Sequence, residues 1–253
     1  MTQHVDLNCD MGEGYGAWSI GQGEALLELV TSANIACGFH AGDPATMART
    51  VKSALARGVA LGAHPSLPDL QGFGRRSMAI SGEEAYGLML YQMGALEAFA
   101  RGQLRHVKPH SALYNMAARD KGLAETIARA VWDFNPDLTL VGLSGSESIK
   151  AGTARGLRCA SEVFADRGYE PDGSLTPRGR PGAMFEDEEL AIARVLRMVR
   201  EGAVRCATGE DVKIQADTVC IHGDQPRALV FARRLREVLA ETGIQVRTLS
   251  ERL

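Results

Sequence analysis

The chain has 253 residues, 45% hydrophobic and 23% charged, enough for one large core or two small ones. A net charge of -3 and a pI near 6.1, with Lys and Arg scattered rather than striped, leave no footprint for nucleic acid. No apolar h-region precedes Asp6, no run is long enough to span a bilayer, and the five cysteines form no Cys-x-x-Cys pair, so a cytoplasmic, reducing location is expected.

Residues 5–9 alternate as a strand and break at once into Asp10-Met11-Gly12-Glu13-Gly14-Tyr15-Gly16. The glycines let backbone approach a ligand closely, and Asn8, Asp10 and Glu13 crowd the break. Ala25, Leu26, Leu29 and Val30 mark a short helix, and residues 32–40 read as a second, buried strand. Asp43-Pro44 then starts a helix with Met47, Ala48, Val51 and Leu55 on one face. Residues 59–63 form a third strand ending on His64-Pro65, followed by a turn-rich loop carrying Asp69, Arg75 and Arg76.

Ser81 and Glu84 make a capping box for a helix reaching about Arg101. A fourth strand over 104–107 ends on Lys108-Pro109-His110; a helix with Ala124, Ile127, Ala128 and Val131 on one side and a strand over 138–143 follow. A sixth strand over 158–164 leads into an irregular stretch, 165–185, long enough to be read as a functional lid and carrying Arg167, Arg178 and Arg180. A helix over 187–201, a seventh strand over 218–221 ending on His222-Gly223-Asp224, a last helix from Pro226 and a strand-like 244–249 complete the chain.

Strands alternate with helices and no composition break marks a linker, so one α/β domain over residues 1–253 is expected, either a parallel barrel or an open doubly wound sheet. The barrel is favoured because Asp10, His40, His64, Lys108 with His110, Glu162 with Asp166, and His222 with Asp224 each follow a strand end. Closure would gather those ends at one mouth. Asp10, His40 and His64 could hold a divalent metal that activates water. The same residues could instead work without metal, one group activating water while Lys108 and a histidine polarise the bond under attack. His4 and His106 read as structural, and Cys9 and Cys37 carry no mark of an activated thiol. There is no Gly-x-Ser-x-Gly elbow and no P-loop.

The motifs Asp6-Leu7-Asn8-Cys9-Asp10-Met11-Gly12-Glu13-Gly14, Ser32-Ala33-Asn34-Ile35-Ala36-Cys37-Gly38-Phe39-His40-Ala41-Gly42-Asp43, Gly62-Ala63-His64-Pro65-Ser66, Val107-Lys108-Pro109-His110, Glu162-Val163-Phe164-Ala165-Asp166-Arg167-Gly168-Tyr169 and His222-Gly223-Asp224 together resemble the LamB/YcsF (PxpA) family. The resemblance implies an irregular seven-stranded (β/α) barrel like those of glycoside hydrolases and polysaccharide deacetylases. It also implies ATP-dependent opening of 5-oxo-L-proline to L-glutamate, as in 5-oxoprolinase, with this chain in the A position beside subunits B and C and the ATP being used by the complex.

On that reading Asp10, Glu13, His40, His64, Lys108 and His110 are the expected catalytic residues. Asn8, Arg167, Arg178, His222 and Asp224 are the expected substrate contacts, and homo-oligomer formation is left open. The rivals are a metal-dependent deacetylase of a small acetylated sugar and a non-catalytic substrate-binding subunit. The chain departs from the family pattern at Ser111, where glycine is usual, and at Gly179-Arg180, where Ser-Gln is usual.

Overall fold

The computed structural model describes residues 3–18, 23–185, 187–223 and 227–249. In chain order the elements are β1 (His4–Met11), α1 (Gly23–Leu26), β2 (Ser32–Ala36), α2 (Pro44–Ala56), β3 (Ala60–His64), α3 (Gly82–Ala100), β4 (Leu104–Val107), α4 (Ser111–Ala117), α5 (Lys121–Phe134) and β5 (Thr139–Leu143). They continue with α6 (Glu147–Arg155), β6 (Arg158–Phe164), α7 (Glu188–Glu201), β7 (Ala203–Arg205), β8 (Asp211–Lys213), β9 (Thr218–Ile221), α8 (Ala228–Glu241) and β10 (Gln245–Val246).

Strands β1 to β6 pair in sequence, β6 pairs with β9, and β9 returns to β1, every pairing parallel. The seven strands therefore close into a barrel, as the strand-end residues implied. Strand β10 adds a short parallel pairing with His4 and Val5, and β7 and β8 form a separate antiparallel hairpin.

Alternation along β1 sorts the chain into two layers. Val5, Leu7, Cys9 and Met11 are buried among the helices, while Asp6, Asn8 and Asp10 turn into the barrel. The interior is accordingly polar and internally bonded. Asp6 accepts from Ser32 (2.7 Å) and Thr218 (2.5 Å), Asn34 donates to Asn8 (2.7 Å) and Asp10 (2.9 Å), and His106 donates to Asn34 (2.8 Å). A Cβ on Gly62 would fall about 2.0 Å from the His106 ring, so β3 carries glycine where the imidazole crosses it. Burial, with Lys108 adding to it, pulls His106 down to about 3; it stays neutral, the structural residue expected.

The sequence reading holds for the strands but not for every boundary. Strand β2 stops at Ala36 because Gly38 and Gly42 take positive φ (100° and 85°) and turn the chain toward His40 and α2. Asp43 caps α2 through Ala45 and Thr46, and Ser81 with Glu84 forms the expected capping box. Helices α4 and α6 and the β7–β8 hairpin were not anticipated.

Candidate active site

The loops after β1 and β2 are tied together before any catalytic side chain is placed. Gly42 N donates to Gly14 O at 2.8 Å, and Asp43 accepts from Gly16 N at 3.0 Å. This brings Glu13 Oε1 to 3.0 Å from His40 Nε2 and 3.5 Å from His110 Nδ1. His64, at the end of β3, donates through Nδ1 to the Lys108 carbonyl at 2.7 Å, and its Nε2 lies 3.3 Å from Asp10 Oδ2. His110 donates through Nε2 to the Phe73 carbonyl at 2.9 Å and turns Nδ1 to His64 Nε2, also at 2.9 Å. His40 stacks on His110 with ring centres 3.7 Å apart and planes 5° from parallel.

Lys108 lies at the centre of the other half of the site. Its ammonium meets Glu162 Oε1 at 2.8 Å, Asp10 Oδ1 at 3.0 Å and Asn8 Oδ1 at 3.1 Å, with Cys220 Sγ at 3.3 Å. Burial works against that ammonium, but Asp10, Cys220 and Glu162 outweigh it and hold its pKa well above the usual lysine value. Burial likewise works against the Asp10 carboxylate, yet His64 and Lys108 hold it well below the usual range, so it is ionised. Burial first, then neighbouring imidazoles, pushes His40 and His110 well below the ordinary histidine value. Burial also takes the Cys37 thiol up to about 12, which agrees with its being inert.

Of the expected site residues, Asp10, Glu13, His64, Lys108, His110, Arg167, Arg178 and His222 border one cavity at the barrel mouth. His40 lies beneath, behind Glu13 and His110. Asn8 is not a wall of that cavity: it is buried and bonded to Glu162 and Thr218, which places it in the floor. Arg167 is buried too, its guanidinium donating to the Ala183 and Thr176 carbonyls, so it fastens the 165–185 loop and has less freedom to reach a ligand than the exposed Arg178. Asp224 lies outside the described residues. The side chain bonded to His222 is Asp166, at 2.8 Å. The cavity also takes in Phe73, Arg75, Ser111, Tyr114, Asn115 and Phe164, which sequence reasoning did not assign to the site. Arg75 lies in a loop already noted for its charge, whereas Tyr114 and Asn115 belong to the unanticipated α4.

Residues 5–253 match the profile of the LamB/YcsF family. The chain is 61% identical over 249 residues to a protein of Bordetella parapertussis that carries the name of the A component of 5-oxoprolinase, covering 97% of this chain and 99% of that one. It is 56% identical over 250 residues to the protein of the same name from Bacillus subtilis, covering 98% and 97%. Among solved structures it superposes on the lactam utilization protein of Thermus thermophilus with a TM-score of 0.91 at 49% identity, covering 97% and 99%. A family 4 carbohydrate esterase from Streptomyces lividans shares the fold alone, with a TM-score of 0.53 at 12% identity over 96% of this chain and 91% of the esterase. The barrel, the strand-end motifs and the full-length similarity agree, and the chain belongs to the LamB/YcsF family.

Proposed function

We propose that this chain is the lactam-binding, hydrolytic component of an ATP-dependent 5-oxoprolinase that opens 5-oxo-L-proline to L-glutamate together with partner subunits B and C. The observation that carries the reading is a single polar mouth built from the strand-end motifs, in a chain similar over its whole length to proteins named as the A component of 5-oxoprolinase. A five-membered lactam is a stable amide. Transfer of the terminal phosphoryl group of ATP to the lactam oxygen, with ADP leaving, makes the ring carbon electrophilic. Water adds there, and the carbon–nitrogen bond breaks with its electron pair and a proton passing to nitrogen. A second water then hydrolyses the acyl phosphate to carboxylate and phosphate.

Asp10 Oδ2, at the mouth and 3.3 Å from His64 Nε2, is placed to orient the attacking water and take its proton. The three protons of Lys108 are matched by Asn8, Asp10 and Glu162, so Lys108 orients and ionises Asp10; the sequence had suggested that it would stabilise charge on oxygen directly. Arg178, Arg75 and His222 supply positive charge at the rim for the substrate carboxylate. The deacetylase alternative has fold likeness alone behind it.

The test is glutamate release from 5-oxoproline and ATP, with this chain alone and with B and C subunits from the same source. Turnover is expected only in the full mixture, and Asp10→Asn is expected to lower it by about 10²–10⁴-fold. An Asp10→Asn complex as active as the unaltered one would overturn the role given to Asp10. No turnover from the folded, complete mixture would overturn the reaction itself.

A further inference from the structure

We propose that Glu13, His40, His64 and His110 form a binding site for one divalent transition-metal ion at the barrel mouth. The argument starts from hydrogen positions. His64 Nδ1 and His110 Nε2 each face a backbone carbonyl, at 2.7 and 2.9 Å, so each of those nitrogens carries its ring's proton. Neutral rings then turn two lone pairs, on His64 Nε2 and His110 Nδ1, toward each other at 2.9 Å. Two acceptors at that separation need a cation between them. It is either one extra proton or a metal ion.

Charge and donor chemistry favour the metal. In this hydrogen-bonded network four carboxylates, Asp10, Glu13, Glu162 and, through Thr218 and Asn8, Asp6, face one ammonium, Lys108. A single shared proton offsets one of those negative charges and a divalent ion offsets two, so the metal leaves the buried network closer to neutrality. Anchoring of a ligating imidazole through its other nitrogen to a backbone carbonyl is the usual support of a metal-bound histidine, and two of the three rings have it. Metal–nitrogen bonds of about 2.0–2.1 Å set neighbouring ligand atoms roughly 3.0–3.4 Å apart. Here the close pairs are 2.9, 3.0 and 3.5 Å, and all four donors lie within 4.8 Å of one another. Three imidazoles and one carboxylate suit zinc, iron, cobalt or nickel rather than magnesium or calcium.

The parallel stack of His40 on His110 cannot point both rings at one ion. His40 is the ring that turns, because its Nδ1 is buried and has no hydrogen-bond partner to hold it. Asp10, which the sequence put in the ligand set, has Oδ1 held by Lys108 and Asn34, while its Oδ2 lies 3.3 Å from His64 Nε2 at the edge of the four donors. The proposal does not rest on the lactam reaction, since ion binding is read without substrate or partners.

The experiment uses the full chain, stripped with chelator and titrated with Co²⁺. The expected result is about one ion retained per chain by elemental analysis, visible cobalt absorption bands and a raised melting temperature. Glu13→Gln and His64→Gln should each weaken cobalt binding by at least ~tenfold, while His4→Gln leaves it unchanged. If His64→Gln does not fold, Glu13→Gln, which keeps the side-chain shape, decides the matter. No retained ion and no cobalt spectrum from the folded wild-type chain would overturn the proposal and leave a shared proton between His64 and His110. Binding equally tight in the Glu13 variant and the wild type would overturn it as well.

Discussion

Lys108 holds two carboxylates that come from strands distant in sequence, the partly buried Asp10 from β1 and the fully buried Glu162 from β6. Lys108→Met would leave both without their common counter-charge, and a loss of about 3–5 kcal/mol in denaturant unfolding is expected. The lysine's position after a strand was legible in the sequence; its saturation was not, because its partners are set by barrel closure. His222 gives a second case, its bonded carboxylate being Asp166 across the β6–β9 boundary. Burial pulls His222 down, but Asp166, helped by Asp10 and opposed by Arg178, holds its pKa above the ordinary value. Burial pushes Asp166 up, and His222 overrides that to hold it below its ordinary value. The histidine's contribution to stability is therefore complete below its unfolded pKa, about 6.5, and is lost as pH rises through the raised native value. The carboxylate's contribution is complete above about 3.9 and is lost as pH falls through its lowered native value. His222→Gln is expected to be less stable than wild type by about 1.5–3 kcal/mol between those limits. The gap should narrow as pH rises past the native His222 pKa, as read from urea midpoints across a pH series.

At the scale of elements, α4 shows why short helices escape a sequence reading. Its seven residues, Ser111–Ala117, follow Pro109 and His110 and are too few to display a period, so Tyr114 and Asn115 were missed with it. Its first residue also accounts for one departure from the family pattern. Ser111 has φ 36°, in the left-handed region that favours glycine, so the usual glycine answers a backbone requirement. Ser111→Gly is expected to raise unfolding stability by about 0.5–1 kcal/mol, measurable in a denaturant titration, after allowing for the greater freedom of glycine in the unfolded chain. The other departure, Gly179-Arg180, directly follows the mouth-lining Arg178, but Arg180 itself is exposed and does not border the mouth. The 165–185 stretch, read as a lid from its length, is folded on itself. Arg167 and Tyr169 lie in isolated bridges to Met184 and Leu175, and the buried Tyr169 hydroxyl accepts from Phe164 N at 2.9 Å. It forms a wall of the site.

For the whole molecule, the choice of a barrel over an open sheet was legible because polar residues followed nearly every strand, a pattern that only closure turns into one site. The number of strands in the ring was not legible from periodicity, which cannot tell the marginal pairing of β10 from a full barrel strand. The site draws on the ends of β1, β3, β4, β6 and β9 together, so opening the ring at any of these five strands disperses it. The chain is accordingly expected to unfold as one cooperative unit. Far-ultraviolet dichroism and the fluorescence of Trp18 and Trp132 should give coincident denaturation curves, and separated midpoints would divide residues 1–253 into more than one folding unit. The polar floor has a consequence on a longer timescale. Asp6, Asn8, Asn34 and His106 bond to residues on other strands, so a single replacement there strands a partner as well as itself. Drift toward new ligands is thereby channelled to the rim, to Asn115, whose bond goes to the Ser111 backbone carbonyl, and to the exposed Arg178.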